Sequence, residues 1–152
     1  MKILYKNKKV ERAFEELRDV SNDKASLKKY ISFDILRMIK KRVDQLIAYP
    51  NFYCIVRSPI GKCEKLVGNL EGKYSIHTNA NYRLIIMPNS TDLSKASLEK
   101  CEEFYIEGVV DYHGTKNKWI ISWFHYSSRW NNSWSFRRKK YESKGTGYSL
   151  RI

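Results

Sequence analysis

The stretch from residue 73 to residue 87 constrains the fold of this chain most strongly. It reads KYSIHTNANYRLIIM, in which two runs rich in β-branched and aromatic residues flank the polar tetrapeptide TNAN. Such runs are typical of strands, and asparagine tolerates the backbone conformations of tight turns. The pattern predicts a β-hairpin with strands Lys73–His77 and Tyr82–Met87.

Three more strands are expected around this hairpin. They cover Met1–Tyr5, Lys62–Leu66 and Phe104–Tyr112, and the last of these is taken as the final strand of the fold. Asn51–Lys62 is interpreted as a connector that packs partly against the core. Pro88–Lys100 is interpreted as a polar insert of loop or short-helix character.

Two helices are predicted before the strands. The stronger one spans Asp23–Ala48, and Ser32–Asp34 is a point where it could be interrupted. Its apolar residues recur at spacings of three and four: Leu27, Tyr30, Ile31, Ile35, Met38, Ile39, Val43, Leu46 and Ile47. A shorter helix begins at Lys8. The order predicts an α+β fold, with two N-terminal helices packed on a small, mostly antiparallel sheet.

The charge balance favours a polyanionic partner. The 152 residues include 29 Lys and Arg against 16 Asp and Glu, which gives a formal net charge of +13. Each phosphate that such a surface neutralises releases a counterion, so nucleic acid is one candidate partner. An acidic protein is another, and a basic protein with neither partner is the third interpretation.

Cysteine usage and the lack of targeting signals favour the cytosol. Cys54, Cys63 and Cys101 form no CxxC pair and leave one thiol over, which favours free thiols in a reducing compartment over a disulfide frame or a zinc site. The N-terminal MKILYKNKKVER has no apolar signal-peptide core. The run Trp119–Tyr126 is shorter than the roughly 20 residues of a membrane span.

The composition shifts after His113. All four tryptophans lie in this tail, with nine basic residues and one acidic residue. Aromatic and basic residues interleaved in this way suit base stacking and phosphate contact in RNA. An extra hairpin that covers the sheet and a poorly ordered extension are the two alternatives. The chain is therefore divided into a domain at 1–113 and a basic, Trp-rich extension at 114–152.

Three side chains form the candidate catalytic set. Cleavage of RNA by its own 2′-hydroxyl needs a base, an acid for the leaving 5′-oxygen and a cation for the phosphorane. Glu64, His113 and Arg83 match these roles, since imidazole is partly protonated at neutral pH and guanidinium is a two-pronged phosphate donor. His77 and His125 rank lower, because neither has a carboxylate and an arginine close by in sequence.

Three segments resemble one known family. GKCEKLVGNLEGKYSI, NYRLII and VVDYH are similar to the RelE/ParE superfamily of bacterial toxins, especially its HigB and YoeB branches. The resemblance covers about residues 1–114. It implies a small β-α-α-β-β-β fold, cleavage of messenger RNA on the ribosome without a metal ion or small-molecule cofactor, and neutralisation by a cognate antitoxin, here HigA-like. No membrane partner is implied.

The resemblance also implies residue roles. YoeB-type members use a Glu, an Arg and a His at the positions of Glu64, Arg83 and His113, which become general base, phosphorane stabiliser and general acid. The Asp-Tyr-His ending of HigB-type members adds Tyr112 as an orienting residue. Lys62, Lys65 and Lys73 are expected to contact the RNA backbone, because they are basic and near the same surface.

The chain departs from the family at three places. HigB-type toxins commonly have His where Glu64 stands, both branches commonly have Lys where Val67 stands, and the family usually ends near the terminal His. An ideal strand also places Tyr112 and His113 on opposite sides, so His113 reaches the site only if the chain bends. The alternative function is a non-catalytic binding protein of the same fold, either a gyrase inhibitor or an inactive toxin.

Overall fold

The structure of the chain, a computed structural model, describes residues 1–6, 8, 11, 12, 14, 15, 32–112 and 117–122. Across these residues the fold is α+β, with short helices and one mixed sheet, as the sequence predicts at that level. The strands are β1 Lys2–Leu4, β2 Glu64–Lys65, β3 Tyr74–His77, β4 Tyr82–Pro88, β5 Glu103–Asp111 and β6 Lys118–Ser122. The helices are α1 Phe33–Ile47, α2 Phe52–Arg57 and α3 Lys95–Lys100.

The sheet is mostly antiparallel. Its order is β1-β5-β4-β3-β2, and β6 also pairs with β5. Only β1 runs parallel to its neighbour in the described part of the sheet. The predicted hairpin is confirmed, because His77 of β3 lies opposite Arg83 of β4 across the turn.

One face of the sheet packs against helices to form the main core. Helix α1 buries a stripe at spacings of three and four, namely Leu36, Ile39, Val43 and Leu46. These side chains share a buried cluster with alternate strand residues, Tyr74, Ile76, Leu84, Ile86, Phe104 and Ile106 among them. Phe14, in the helical segment near the N-terminus, is buried in the same cluster. We call this side the helix face.

The opposite side carries a second, smaller core. Leu66, Leu70, Ile85 and Val110 are buried there, and Tyr112 and Trp119 pack against them. Because side chains alternate along a strand, Ile85 points away from Leu84 and Ile86, which belong to the helix face. We call this opposite side the site face, since it also carries Arg83 by the same alternation.

One prediction in the helical region needs correction, and the interruption expected at Ser32–Asp34 is confirmed by a helix that begins at Phe33. Asn51–Lys62 is not only a connector, because it contains α2, whose first turn is capped by Asn51 Oδ1 accepting from the Cys54 N–H at 3.0 Å. The helix predicted over Asp23–Ala48 is described only from Ser32, and α1 begins at Phe33 with Ser32 as its N-cap. Its earlier half lies outside the described residues.

The strand Phe104–Tyr112 is not the last strand. It runs as Glu103–Asp111, and β6 follows it at Lys118–Ser122. Since β4 occupies one edge of β5 along its length, β1 and β6 share the other edge, at residues 103–105 and 108–111. Part of the extension, residues 118–122, therefore joins the edge of the sheet. The predicted division at 113/114 stays a prediction, and Trp123, Trp130 and Trp134 lie outside the described residues.

In the segments that the structure describes, no helix has both the length and the apolar character needed to cross a bilayer.

Candidate functional site

Four polar side chains follow one another across the site face. Glu64 pairs with Ser75, and His77 lies two residues further along β3, so Glu64 and His77 share this face. Arg83 lies directly opposite His77 on β4. Tyr112 follows β5 and packs into the same small core as its neighbour strand residue Val110.

The Glu64 carboxylate and the His77 imidazole are in contact. His77 Nε2 lies 3.8 Å from Glu64 Oε1, which is an ion pair whenever the imidazole is protonated. Both groups reach solvent, with 23% of the His77 side chain and 48% of the Glu64 side chain exposed. A carboxylate beside an imidazole is suited to accepting and donating protons.

The Arg83 side chain is held by the β3–β4 turn. Nη1 donates to three backbone carbonyl oxygens, those of Asn79 at 3.0 Å and of Ala80 and Tyr82 at 3.2 Å. Only 7% of the residue is exposed. A guanidinium fixed in this way is a preorganised positive charge, which stabilises developing negative charge without having to reorient.

Tyr112 completes the row next to Arg83. The Arg83 guanidinium carbon lies 5.2 Å from the centre of the Tyr112 ring, within cation–π range. Burial raises the pKa of the Tyr112 phenol; the Arg83 charge opposes this rise and the Glu64 charge adds to it, so the net direction is upward. The phenol therefore stays protonated at neutral pH and can donate a hydrogen bond.

Cys63, next to Glu64 in the chain, is not a nucleophile at this site. Burial raises the pKa of its thiol to about 12, and the Glu64 charge adds to the rise. Since the thiolate is the reactive form, the thiol is inert at neutral pH. The chemistry of the site face therefore depends on its carboxylate, imidazole, guanidinium and phenol groups.

The structure brings together three of the four predicted catalytic residues. Glu64, Arg83 and Tyr112 lie on the site face. His113 lies outside the described residues, so its place as the acid stays a prediction. Among the residues that the structure describes, the imidazole at this site is that of His77, whereas the sequence favoured His113.

His77, which the sequence ranks below His113, does have both kinds of partner in the fold. The ranking considered only the chain around His77, where no obvious carboxylate and arginine stand close in sequence. Pairing of β2 with β3 brings Glu64 from 13 residues away, and the turn brings Arg83 directly opposite. The period-two placement of His77 and Arg83 in the predicted hairpin was the one available signal. His125 lies outside the described residues.

The three lysines predicted to contact RNA do not lie on one common surface. Lys62 is exposed in the loop before β2, with a left-handed φ of 42°. Lys65 pairs with Tyr74, a helix-face residue, so it points away from Glu64 at the sheet edge. Lys73 lies on the site face, where its Nζ is 3.0 Å from Glu107 Oε2.

Among the residues that the structure describes, no three His, Cys, Asp or Glu side chains cluster as a metal site.

Comparisons with known proteins give one distant similarity. No protein-family model matches the chain, and no curated protein matches it. Among solved structures, the YoeB-YefM complex from Staphylococcus aureus is similar, with 19% sequence identity and a TM-score of 0.41 over 75% of this chain and 98% of that chain. At this identity and this TM-score the similarity assigns neither family nor activity.

Proposed function

We propose that the chain is a toxin-type endoribonuclease that cuts messenger RNA, acts on the ribosome and needs no metal ion. Two independent observations support this proposal. The motifs around Glu64, Arg83 and Tyr112 resemble those of RelE/ParE toxins of the HigB and YoeB kind. The same three residues lie on one face of the sheet, beside an imidazole.

The single observation that carries the proposal is the row of groups across the site face. The Glu64 carboxylate contacts the His77 imidazole at 3.8 Å, His77 lies opposite Arg83, and Arg83 lies 5.2 Å from the Tyr112 ring centre. This places a proton acceptor, a fixed cation and a phenol hydroxyl on one face of neighbouring strands. With the imidazole of His113 proposed as the acid, the set supplies what cleavage by the 2′-hydroxyl requires.

The proposed reaction is transesterification. Glu64 takes the proton of the 2′-hydroxyl, the 2′-oxygen bonds to phosphorus, and the bond from phosphorus to the 5′-oxygen breaks. A protonated imidazole, His113 in this proposal, gives its proton to the leaving 5′-oxygen. Arg83 and the Tyr112 phenol stabilise the charge on the phosphorane oxygens. The products are a 2′,3′-cyclic phosphate and a 5′-hydroxyl.

The partners follow from the same proposal. RNA fits the net charge of +13 and the exposed Lys62 in the loop before β2. A toxin of this kind is held inactive by an antitoxin, HigA-like here, and works in the cytoplasm where ribosomes are. Contacts of Lys65 and Lys73 with RNA belong to this proposal as well, although Lys73 also neutralises Glu107.

A second candidate is a non-catalytic binding protein with the same fold. The burial of Arg83 favours it, since its Nη1 is committed to the turn carbonyls and the residue is 7% exposed. Val67, which is exposed, stands where both toxin branches commonly have a lysine. Such a protein would keep the fold and its partner while leaving RNA intact.

Expression in bacterial cells distinguishes the two candidates. The wild-type chain is expected to stop growth and to produce defined cut sites in cellular messenger RNA. Glu64→Gln should abolish both effects, whereas Glu71→Gln, a matched change at an exposed glutamate, should leave them unchanged. Growth arrest without RNA cuts, or cuts that survive Glu64→Gln, would overturn the nuclease proposal.

A further inference from the structure

We propose that His77 is a positioning residue of the cleavage site that acts through Glu64, holding its carboxylate ready to take the 2′-hydroxyl proton. This inference rests on the proposed function and adds a residue to its machinery. It starts from the 3.8 Å contact between His77 Nε2 and Glu64 Oε1. An imidazole in contact with the proposed base stands on the side of the reaction where the proton is removed.

A close approach of the backbone at Gly61 to the end of β3 brings Glu64 and His77 together. The His77 N–H donates to the Gly61 carbonyl oxygen at 2.6 Å, which fastens the chain just before β2 to the end of β3. Gly61 has a left-handed φ of 78°, and a Cβ there would lie 2.6 Å from Ile76 Cγ2. Only glycine permits this close approach, and the approach carries Glu64 to His77.

The charges around His77 define how it works. Glu64 faces it from β2 and Arg83 from β4, with Tyr112 beyond Arg83. An imidazolium at His77 attracts the ionised Glu64 carboxylate. During the reaction Glu64 gains the proton from the 2′-oxygen, and His77 keeps its own proton and holds the carboxylate in place.

The role depends on charge, because an imidazolium attracts the Glu64 carboxylate whereas a neutral amide at the same place does not. A variant that keeps a positive charge at residue 77 should therefore retain most of the cleavage rate, and a neutral variant should not. A merely structural residue would show no such dependence on charge.

The test is single-turnover cleavage of ribosome-bound messenger RNA by variants of His77. His77→Gln is expected to slow cleavage about tenfold, which corresponds to a loss of about 1.4 kcal/mol in transition-state stabilisation. His77→Lys, which keeps a positive charge, should recover most of the loss.

The outcomes separate the two proposals. If Glu64→Gln cleaves at the wild-type rate, the proposed function fails and this inference fails with it. If Glu64→Gln is inactive but His77→Gln matches the wild type, the nuclease stands and the role of His77 is overturned. An equal loss in His77→Gln and His77→Lys, which a positive charge does not relieve, also overturns it.

Discussion

The Arg83 guanidinium carbon lies 5.2 Å from the centre of the Tyr112 ring, so the start of β4 contacts the chain that leaves β5. The Tyr112 N–H adds a hydrogen bond to the Asn81 carbonyl oxygen at 2.8 Å. The Tyr112 side chain thus has two separable parts. Its ring packs on the Arg83 guanidinium, and its hydroxyl is proposed to donate to the phosphorane.

Variants of Tyr112 separate these parts. Tyr112→Phe keeps the ring over Arg83 and should unfold like the wild type, but should cleave at least about tenfold more slowly if the phenol donates to the phosphorane. Tyr112→Ala removes the ring from a partly buried site and should cost about 2 kcal/mol in the free energy of unfolding. Denaturant unfolding and cleavage rates, measured on both variants, check this. Equal cleavage by Tyr112→Phe and wild type would remove the hydroxyl from the mechanism.

The buried Glu107 carboxylate should be a main source of stability on the site face. Its side chain is 1% exposed, and Lys6 Nζ at 2.7 Å and Lys73 Nζ at 3.0 Å neutralise it. Glu107→Gln leaves both lysines without their partner and should cost about 2 kcal/mol at pH 7, less than a fully buried pair because the lysines are partly exposed. Glu103→Gln, at an exposed pair with Lys2, should change stability little.

The effect of Glu107→Gln should depend on pH. Burial opposes ionisation of Glu107, but the hydrogen bonds and charges of Lys6 and Lys73 outweigh it and the pKa of the carboxyl is lowered. Its contribution to stability is therefore fully present above the unfolded value of about 4.3. It is lost as the pH falls through the lower folded value. The wild-type advantage, measured by urea unfolding, should shrink below about pH 4; a constant advantage down to pH 2 would contradict this origin.

Gly61 should be more sensitive to substitution than Gly68, although both have left-handed φ angles, 78° and 67°. Gly68→Ala meets nothing within 4 Å and should cost only the conformational term of about 1–2 kcal/mol. Gly61→Ala adds a contact of 2.6 Å to Ile76 Cγ2, so it should cost more and also slow cleavage by displacing Glu64. Thermal unfolding of both variants checks this, and equal costs would show that the Ile76 contact is easily relieved.

The strand β6 should be an integral part of the fold. Trp119 pairs with Val110 of β5 and packs on the site-face core beside Tyr112. Trp119→Ala should cost about 2 kcal/mol, whereas Lys118→Ala, at the exposed neighbouring position, should cost little. Deletion of residues 114–152 should lower the unfolding temperature. If the deletion leaves that temperature unchanged, β6 contributes nothing to the domain.

Local patterns account for most of the strands. The hairpin of β3 and β4 follows from β-branched runs around an asparagine-rich turn, and α1 follows from its apolar stripe. Helix α2 was missed because Phe52 and Ile55 gave too short a stripe to outweigh the connector interpretation, although Asn51 was a recognisable N-cap. Strand β6 was covered only by one of three interpretations of the tail, because interleaved aromatic and basic residues suit RNA contact as well as packing.

The site was harder to predict than the fold, for a physical reason. Glu64 and Arg83 could be proposed because family motifs mark them, and both lie on one face. The contact of Glu64 with His77 depends on the register of β2 against β3, which a two-residue strand scarcely encodes. Register fixes which side chains share a face, so one residue of slip would have separated them.

The most direct test of the site is the chemistry of the RNA ends that the purified full chain produces. The substrate is ribosome-bound messenger RNA, and the reaction contains a metal-chelating agent that spares the ribosome's Mg²⁺. The expected products carry a 2′,3′-cyclic phosphate and a 5′-hydroxyl, and they disappear with Glu64→Gln but not with Glu71→Gln. Intact RNA, or ends with a 3′-hydroxyl and a 5′-phosphate, would contradict transesterification on the site face.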